Sequence, residues 1–161
     1  MELDYDQWLT VDPPVELDVI KEIIPHRKPM LWLDRIETFT RNESIAGYID
    51  LLPDAPVFKG HFPDYPVFPG VLQAEAVAQV AACLAILSDP HLFWRKALLL
   101  MSLDKVKFRA GAFPGQRLQL EASVLRIRGP IWRFAGKASV DGSTTTQLEF
   151  MATVTEMPEK T

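Results

Sequence analysis

His61 and Glu75 are the two side chains whose types and setting suit proton transfer. They belong to one segment, Gly60-His61-Phe62-Pro63-Asp64-Tyr65-Pro66-Val67-Phe68-Pro69-Gly70-Val71-Leu72-Gln73-Ala74-Glu75-Ala76-Val77-Ala78-Gln79. Pro63, Pro66 and Pro69 fix backbone φ along the loop, while Gly60 and Gly70 admit conformations that a β-carbon resists. A helix beginning between Pro69 and Val71 puts Glu75 on its second turn. Gln79 falls one turn further along the same face. An imidazole on a rigid loop and an acid on an apolar helix can divide a reaction between them. One takes a proton from carbon and the other gives a proton to oxygen, which is the work of a dehydratase.

The elements that must position these groups follow from periodicity. Leu17, Ile20, Ile23 and Ile24 share a helical face that ends before Pro25. Met30 to Phe39 reads as a strand, and Ser44 to Leu51 as a second. The apolar run Val71 to Leu87 is the long helix. Its 17 residues carry Gln73, Glu75 and Gln79 and stop at Ser88-Asp89-Pro90. A membrane span wants about 20 apolar residues with few charges, so this run reads as the buried centre of a fold.

Beyond Pro90 the period changes to two. Ala97 to Phe108 is strand-like, and Leu118, Leu120, Ala122 and Val124 form an inward row. Phe134, Gly136, Ala138 and Val140 form another, and Leu148, Phe150, Ala152 and Val154 a last one. Gly111 to Gly115 and Gly129-Pro130 mark turns, and Asp141-Gly142 is a hairpin signal. One long helix and five or six strands define an α+β domain in which a curled sheet would bury the helix.

With 161 residues, 48% apolar and 24% charged, the chain suits one globular domain. Residues 17–155 carry it, after an acidic and mobile leader at 1–16 and before a tail at 156–161. The acidic opening with Pro13-Pro14 lacks the pattern of a secretory signal. The single cysteine, Cys83, sits in the apolar helix, as expected of a cytoplasmic protein. Residues 1–90 hold 6 Lys/Arg against 15 Asp/Glu, whereas residues 91–161 hold 11 against 6. Ten of those basic residues lie between Arg95 and Lys137. Either the acidic front lies over the basic back, or the basic stretch docks an acidic partner. No aromatic-and-basic interleaving points to nucleic acid.

Gly60-His61-Phe62-Pro63 through Pro69-Gly70-Val71-Leu72, then Glu75-Ala76-Val77-Ala78-Gln79, resembles the β-hydroxyacyl-[acyl-carrier-protein] dehydratases of type II fatty-acid synthesis. Ile24-Pro25-His26-Arg27-Lys28-Pro29 with Leu33-Asp34-Arg35 is similar to that family's opening motif. Lys107-Phe108-Arg109 with Pro114-Gly115, and Ile131-Trp132-Arg133-Phe134 with Val140-Asp141-Gly142, look like its later strands. The likeness runs from about residue 17 to 155. Two departures stand out: Gln116 occupies a position that is often acidic, and the leader is longer than usual.

The resemblance implies a hotdog fold, in which an antiparallel sheet wraps a long helix. It implies a homodimer with composite active sites, assembled as a trimer of dimers. The substrate would be a 3-hydroxyacyl thioester on the phosphopantetheine arm of acyl carrier protein, with no metal and no other cofactor. The family's catalytic pair carries over onto His61 as base and Glu75 as acid, meeting across the dimer interface. A loop carbonyl such as that of Val67 would hold the imidazole in one tautomer. Glu75 would need an apolar setting that raises its pKa, which Ala74, Ala76 and Val77 suggest. The backbone N–H groups of Gly70 and Val71 would receive charge on the thioester oxygen, and Gln79 would either orient Glu75 or pack.

A lone loop histidine or helix glutamate is ordinarily structural, and only the shared motif raises these two above that reading. His26 and His91 have no partner pattern and read as structural. Phe62, Phe68, Trp32 and Trp132 read as core before acyl-channel lining. Arg109, Arg126 and Lys137 are the candidate docking residues for the carrier protein. The competing functions are a hotdog acyl thioesterase and a non-catalytic acyl-binding subunit. Retention of both His61 and Glu75 speaks against them.

Overall fold

The computed structural model describes residues 5–93 and 96–157. Residues 1–4 of the leader, Arg95 at the head of the basic stretch, and residues 158–161 of the tail lie outside the described residues. After a 3-10 helix (Tyr5–Thr10) come β1 (Val15–Glu16), α1 (Leu17–Ile23), β2 (Arg35–Thr40) and β3 (Ser44–Asp50). Two helices follow, α2 (Pro56–Gly60) and α3 (Gly70–Ser88), then α4 (Pro90–Phe93). The chain closes with β4 (Lys96–Phe108), β5 (Arg117–Arg128), β6 (Ile131–Val140) and β7 (Ser143–Glu156).

The strands form one antiparallel sheet in the order β1-β2-β3-β5-β6-β7-β4. It curls around α3, which packs against β3, β5, β6 and β7. This is the expected hotdog arrangement, with one strand more than periodicity showed. The extra strand is the two-residue β1, which falls inside the acidic leader. Position after position of α3 is buried, from Ala76 to Leu87 with only Ala78 partly open. It is long and apolar enough to cross a membrane, but it serves here as the core helix.

Helix and sheet approach closely at Gly136, where a Cβ would sit 2.3 Å from Val77 Cγ1. The inward rows of β5, β6 and β7 meet the helix through Leu118, Leu120, Trp132, Phe134 and Phe150, all buried. Phe134 stacks between Trp132 and Phe150 at ring distances of 5.9 and 5.2 Å. Asp141 and Gly142 both take positive φ, +48° and +81°, as a tight hairpin between β6 and β7 requires.

Two expectations are corrected. Met30 to Leu33 is not strand. Leu31, Trp32 and Leu33 are buried, but in a loop whose backbone finds its partner on a side chain: Trp32 N–H donates to Gln79 Oε1 at 2.8 Å and Met30 O accepts from Gln79 Nε2 at 2.7 Å. The described part of the leader lies against the domain. Trp8 is 3% exposed, and the Arg41 guanidinium donates to the carbonyls of Trp8, Val11 and Leu87. Nor does the acidic front cover the basic back. Within the second half, Lys105 and Arg133 pair with Glu149, and Lys137 with Glu121, while among the described lysines and arginines of that half only Arg117 reaches forward, to Asp50. Neighbours on adjacent strands are simply nearer than a distant segment.

Candidate active site

His61 directly follows α2, and its loop is closed on itself. Val67 N–H donates to His61 O at 2.9 Å, while His61 Nδ1 lies 2.7 Å from Val67 O. A carbonyl only accepts, so Nδ1 carries the hydrogen and the lone pair of the neutral ring sits on Nε2. Phe62 stacks on the imidazole at 4.1 Å. Further along, Phe68 N–H donates to Ala112 O at 2.7 Å, tying the loop to the β4–β5 connection. Phe62 itself is 52% exposed, so it is not core, whereas Phe68, Trp32 and Trp132 are buried.

The N-terminus of α3 opens into the same place. Leu72 and Gln73 donate their backbone N–H groups to Pro69 O. Those of Gly70 and Val71 have no protein acceptor among the described residues, as the first turn of a helix leaves them. His61, Val67, Gly70, Val71, Gln73 and Phe108 line an open depression of about 300 Å³. A Cβ on Gly70 would meet the Phe108 ring at 2.6 Å, so glycine is what lets that ring lie over the helix start. Below, Gln73 Oε1 accepts from the Thr145 and Thr146 hydroxyls at 2.7 and 2.9 Å, which pins the first turn of α3 to β7.

Glu75 lines a different depression, of about 40 Å³, with His26, Ala78, Gln79, Ala82, Leu98 and Leu100 among its walls. Within one chain, therefore, His61 and Glu75 do not share a cavity. Gln79 Nε2 donates to Glu75 Oε1 at 2.8 Å, so Gln79 orients the carboxyl as well as packing. His26 was the residue that sequence reading missed. Its Nε2 lies 3.5 Å from the same Oε1. The signal was present in Pro25-His26-Arg27, but nothing in its spacing shows that this loop folds onto α3. His91 lies at the surface, 3.7 Å from Asp6.

These contacts reverse one expectation. Glu75 is held below the usual carboxylate range, first by hydrogen bonding from His26, with burial opposing and Gln79 and the His26 charge adding to the effect. The alanines around it do desolvate the carboxyl, but two donors outweigh them.

Of the candidate docking residues, Lys137 is ion-paired with Glu121 at 3.1 Å and Arg109 donates to Gln147 at 2.8 Å. Arg126 has no acidic partner among the described residues. It stands opposite Arg133 across β5 and β6.

Residues 24–149 match the family model of the FabA-like domain. The 3-hydroxyacyl-[acyl-carrier-protein] dehydratase FabZ of Helicobacter pylori (strain Shi470) is 41% identical over 144 residues, covering 87% of this chain and 91% of that protein. The dehydratase of the same name from Sorangium cellulosum (strain So ce56) is 40% identical over 145 residues, covering 89% and 94%. Among solved structures, the dehydratase heterocomplex ApeI:P from Xenorhabdus doucetiae superposes with a TM-score of 0.67 at 17% identity, covering 87% and 91%. That last likeness is one of fold. The match over most of the chain, together with the motifs around His61 and Glu75, shows that the chain belongs to the FabA-like domain family, the dehydratase family its sequence resembles.

Proposed function

We propose that this chain converts a 3-hydroxyacyl-[acyl-carrier-protein] to the trans-2-enoyl thioester and water, with His61 as general base and Glu75 as general acid. The observation that carries the reading is the His61–Val67 bond, which leaves Nε2 basic beside the two open N–H groups of Gly70 and Val71. His61 Nε2 takes the C2 proton as charge builds on the thioester oxygen, which those N–H groups receive. The C3–O bond breaks, the C2=C3 bond forms, and Glu75 supplies the proton that lets the hydroxyl leave as water. The steps are proton transfers without net oxidation, so the phosphopantetheine arm is the only prosthetic group the chemistry needs.

A second copy of this chain completes the site. β4 is an edge strand of thirteen residues, bonded among the described residues only to β7, and it carries exposed Leu99, Leu100, Met101, Leu103 and Phe108. A long apolar edge of this kind calls for a partner. Leu100 belongs both to that edge and to the wall beside Glu75, while Phe108 belongs to the edge and to the His61 depression. Pairing along β4 would therefore bring one copy's His61 toward the other's Glu75. It would also exclude water from Glu75, and burial is the influence that raises its pKa toward a general acid's. Three such dimers would make the trimer of dimers, with the acidic carrier protein approaching the basic strands.

The test is turnover of a 3-hydroxyacyl-carrier-protein, or hydration of the crotonyl form, by wild type, His61→Ala and Glu75→Gln. Interconversion by wild type, lost in both variants, supports the pair. A folded oligomer inactive across several chain lengths would overturn the reading in favour of a thioesterase or an acyl-binding subunit.

A further inference from the structure

Glu75 is anchored by one oxygen. Gln79 Nε2 donates to Oε1 at 2.8 Å, and His26 Nε2 approaches the same oxygen at 3.5 Å. Among the described residues no donor reaches Oε2. The His26 ring is fixed in turn. Its Nδ1 is buried and without a hydrogen-bond partner among the described residues. A carboxylate oxygen only accepts, so the ring hydrogen belongs on Nε2. Placed on Nδ1, it would bury an unpaired donor and turn a lone pair toward the carboxylate.

We infer that His26 is a positioning residue for Glu75: beside Gln79 it turns its N–H toward Oε1, so the acid proton resides on Oε2, the one oxygen open to the leaving hydroxyl. This rests on the dehydratase reading of the site. A proton on Oε1 would face two N–H donors, whereas a proton on Oε2 faces none. His26 is also the leading influence that offsets burial of this carboxyl among alanines.

Few other charges touch the pair. The walls contributed by α3, β4 and β7 are Ala78, Ala82, Leu98, Leu100, Phe150 and Ala152, none of them titratable. On the loop that carries His26, the Arg27 guanidinium turns to the carbonyls of Ile24 and His26, and the Lys28 ammonium to that of Leu31. Removing His26 therefore acts on one carboxyl.

The experiment compares His26→Phe, which keeps a ring but no donor, with His26→Gln, which keeps a donor without a ring. Expected for His26→Phe is a fall in kcat of about 10- to 100-fold, part of the 10²–10⁴ that general acid catalysis supplies, with KM changed much less. The rate limb that falls as Glu75 ionises should move to higher pH. His26→Gln should recover most of the rate and return the limb toward its wild-type position. Two variants equally impaired with unmoved limbs, or a His26→Phe enzyme as fast as wild type, would overturn the assignment. The carboxyl ¹³C titration of Glu75, assigned through Glu75→Gln, needs no turnover. A midpoint lower in wild type than in His26→Phe supports the contact, and equal midpoints overturn it. Absence of wild-type turnover, by contrast, would count against the dehydratase reading alone.

Discussion

Gln79 and Glu75 stand one helical turn apart and share a 2.8 Å hydrogen bond, Nε2 to Oε1, while the rest of the Gln79 amide is spent on a distant loop. Its oxygen takes the N–H of Trp32 and its nitrogen also meets the carbonyl of Met30. One side chain thus couples the acid to the segment that carries His26.

Gln79→Leu keeps volume and removes all three bonds. Trp32 N–H and Met30 O are left without their partner, at about 1–3 kcal/mol for each group that water cannot reach. The expected result is a lower urea midpoint with unchanged m-value, and a loss of turnover larger than the loss of folded protein explains. Equal losses of fold and rate would reduce Gln79 to a packing residue.

The pH dependence of stability has a definite sign. The folded state lowers the pKa of Glu75, so this group stabilises the protein above the ordinary glutamate range and that contribution is lost as pH falls through its folded pKa. Asp50, beside Arg117, and Glu149, beside Arg133 and Lys105, shift in the same direction. Comparing wild type with Glu75→Gln cancels those shared groups. Urea midpoints measured from pH 7 to pH 3 should show a wild-type advantage that shrinks toward acid. An advantage constant with pH would mean that Glu75 titrates alike in both states.

Most of the scaffold was legible because the sheet's inward rows obey a strict period of two and α3 is apolar on every face. Leu118, Leu120, Phe134, Ala138, Leu148 and Phe150 all point where alternation puts them. The carbonyl partner of His61 was implied by the family resemblance of its motif, and Val67 O occupies that place. What escaped was whatever depends on a segment distant in sequence. Met30 to Leu33 has the composition of a strand, yet Gln79, 47 positions away from Trp32, supplies its hydrogen bonds. The direction of the Glu75 shift failed for the same reason: its alanine neighbours were visible along the helix, and His26 was not.

Carrier-protein docking should weaken as salt rises, because exposed charges are screened over about 8–10 Å. The three candidate residues should not contribute equally. Lys137 is already neutralised by Glu121, whereas Arg126 faces Arg133 across the strands with no acidic partner among the described residues. Arg126→Ala is expected to weaken carrier binding several-fold, mostly in the association rate, and Lys137→Ala less, with Arg109→Ala between them. Binding measured at two ionic strengths decides it. Affinity indifferent to salt and to all three changes would move the docking surface elsewhere.

Gly136 sets the distance between α3 and the sheet, and its replacement tests whether that distance matters to the chemistry. A Cβ there would lie 2.3 Å from Val77 Cγ1 and 3.0 Å from Glu121 O. Gly136→Ala must push the helix outward or turn Val77 off its rotamer, at about 1–3 kcal/mol for overpacking of this kind. Val77 is two residues beyond Glu75 on the same helix, so a shift of the helix also moves the carboxyl relative to the loop that carries His26. Val77→Ala opens room for the new methyl group. Combined with Gly136→Ala, it should therefore restore more stability and turnover than additivity allows, since the two residues are in contact. A strictly additive double mutant would mean that the strand yields instead of the helix, and that the acid's position is set by the His26 loop alone.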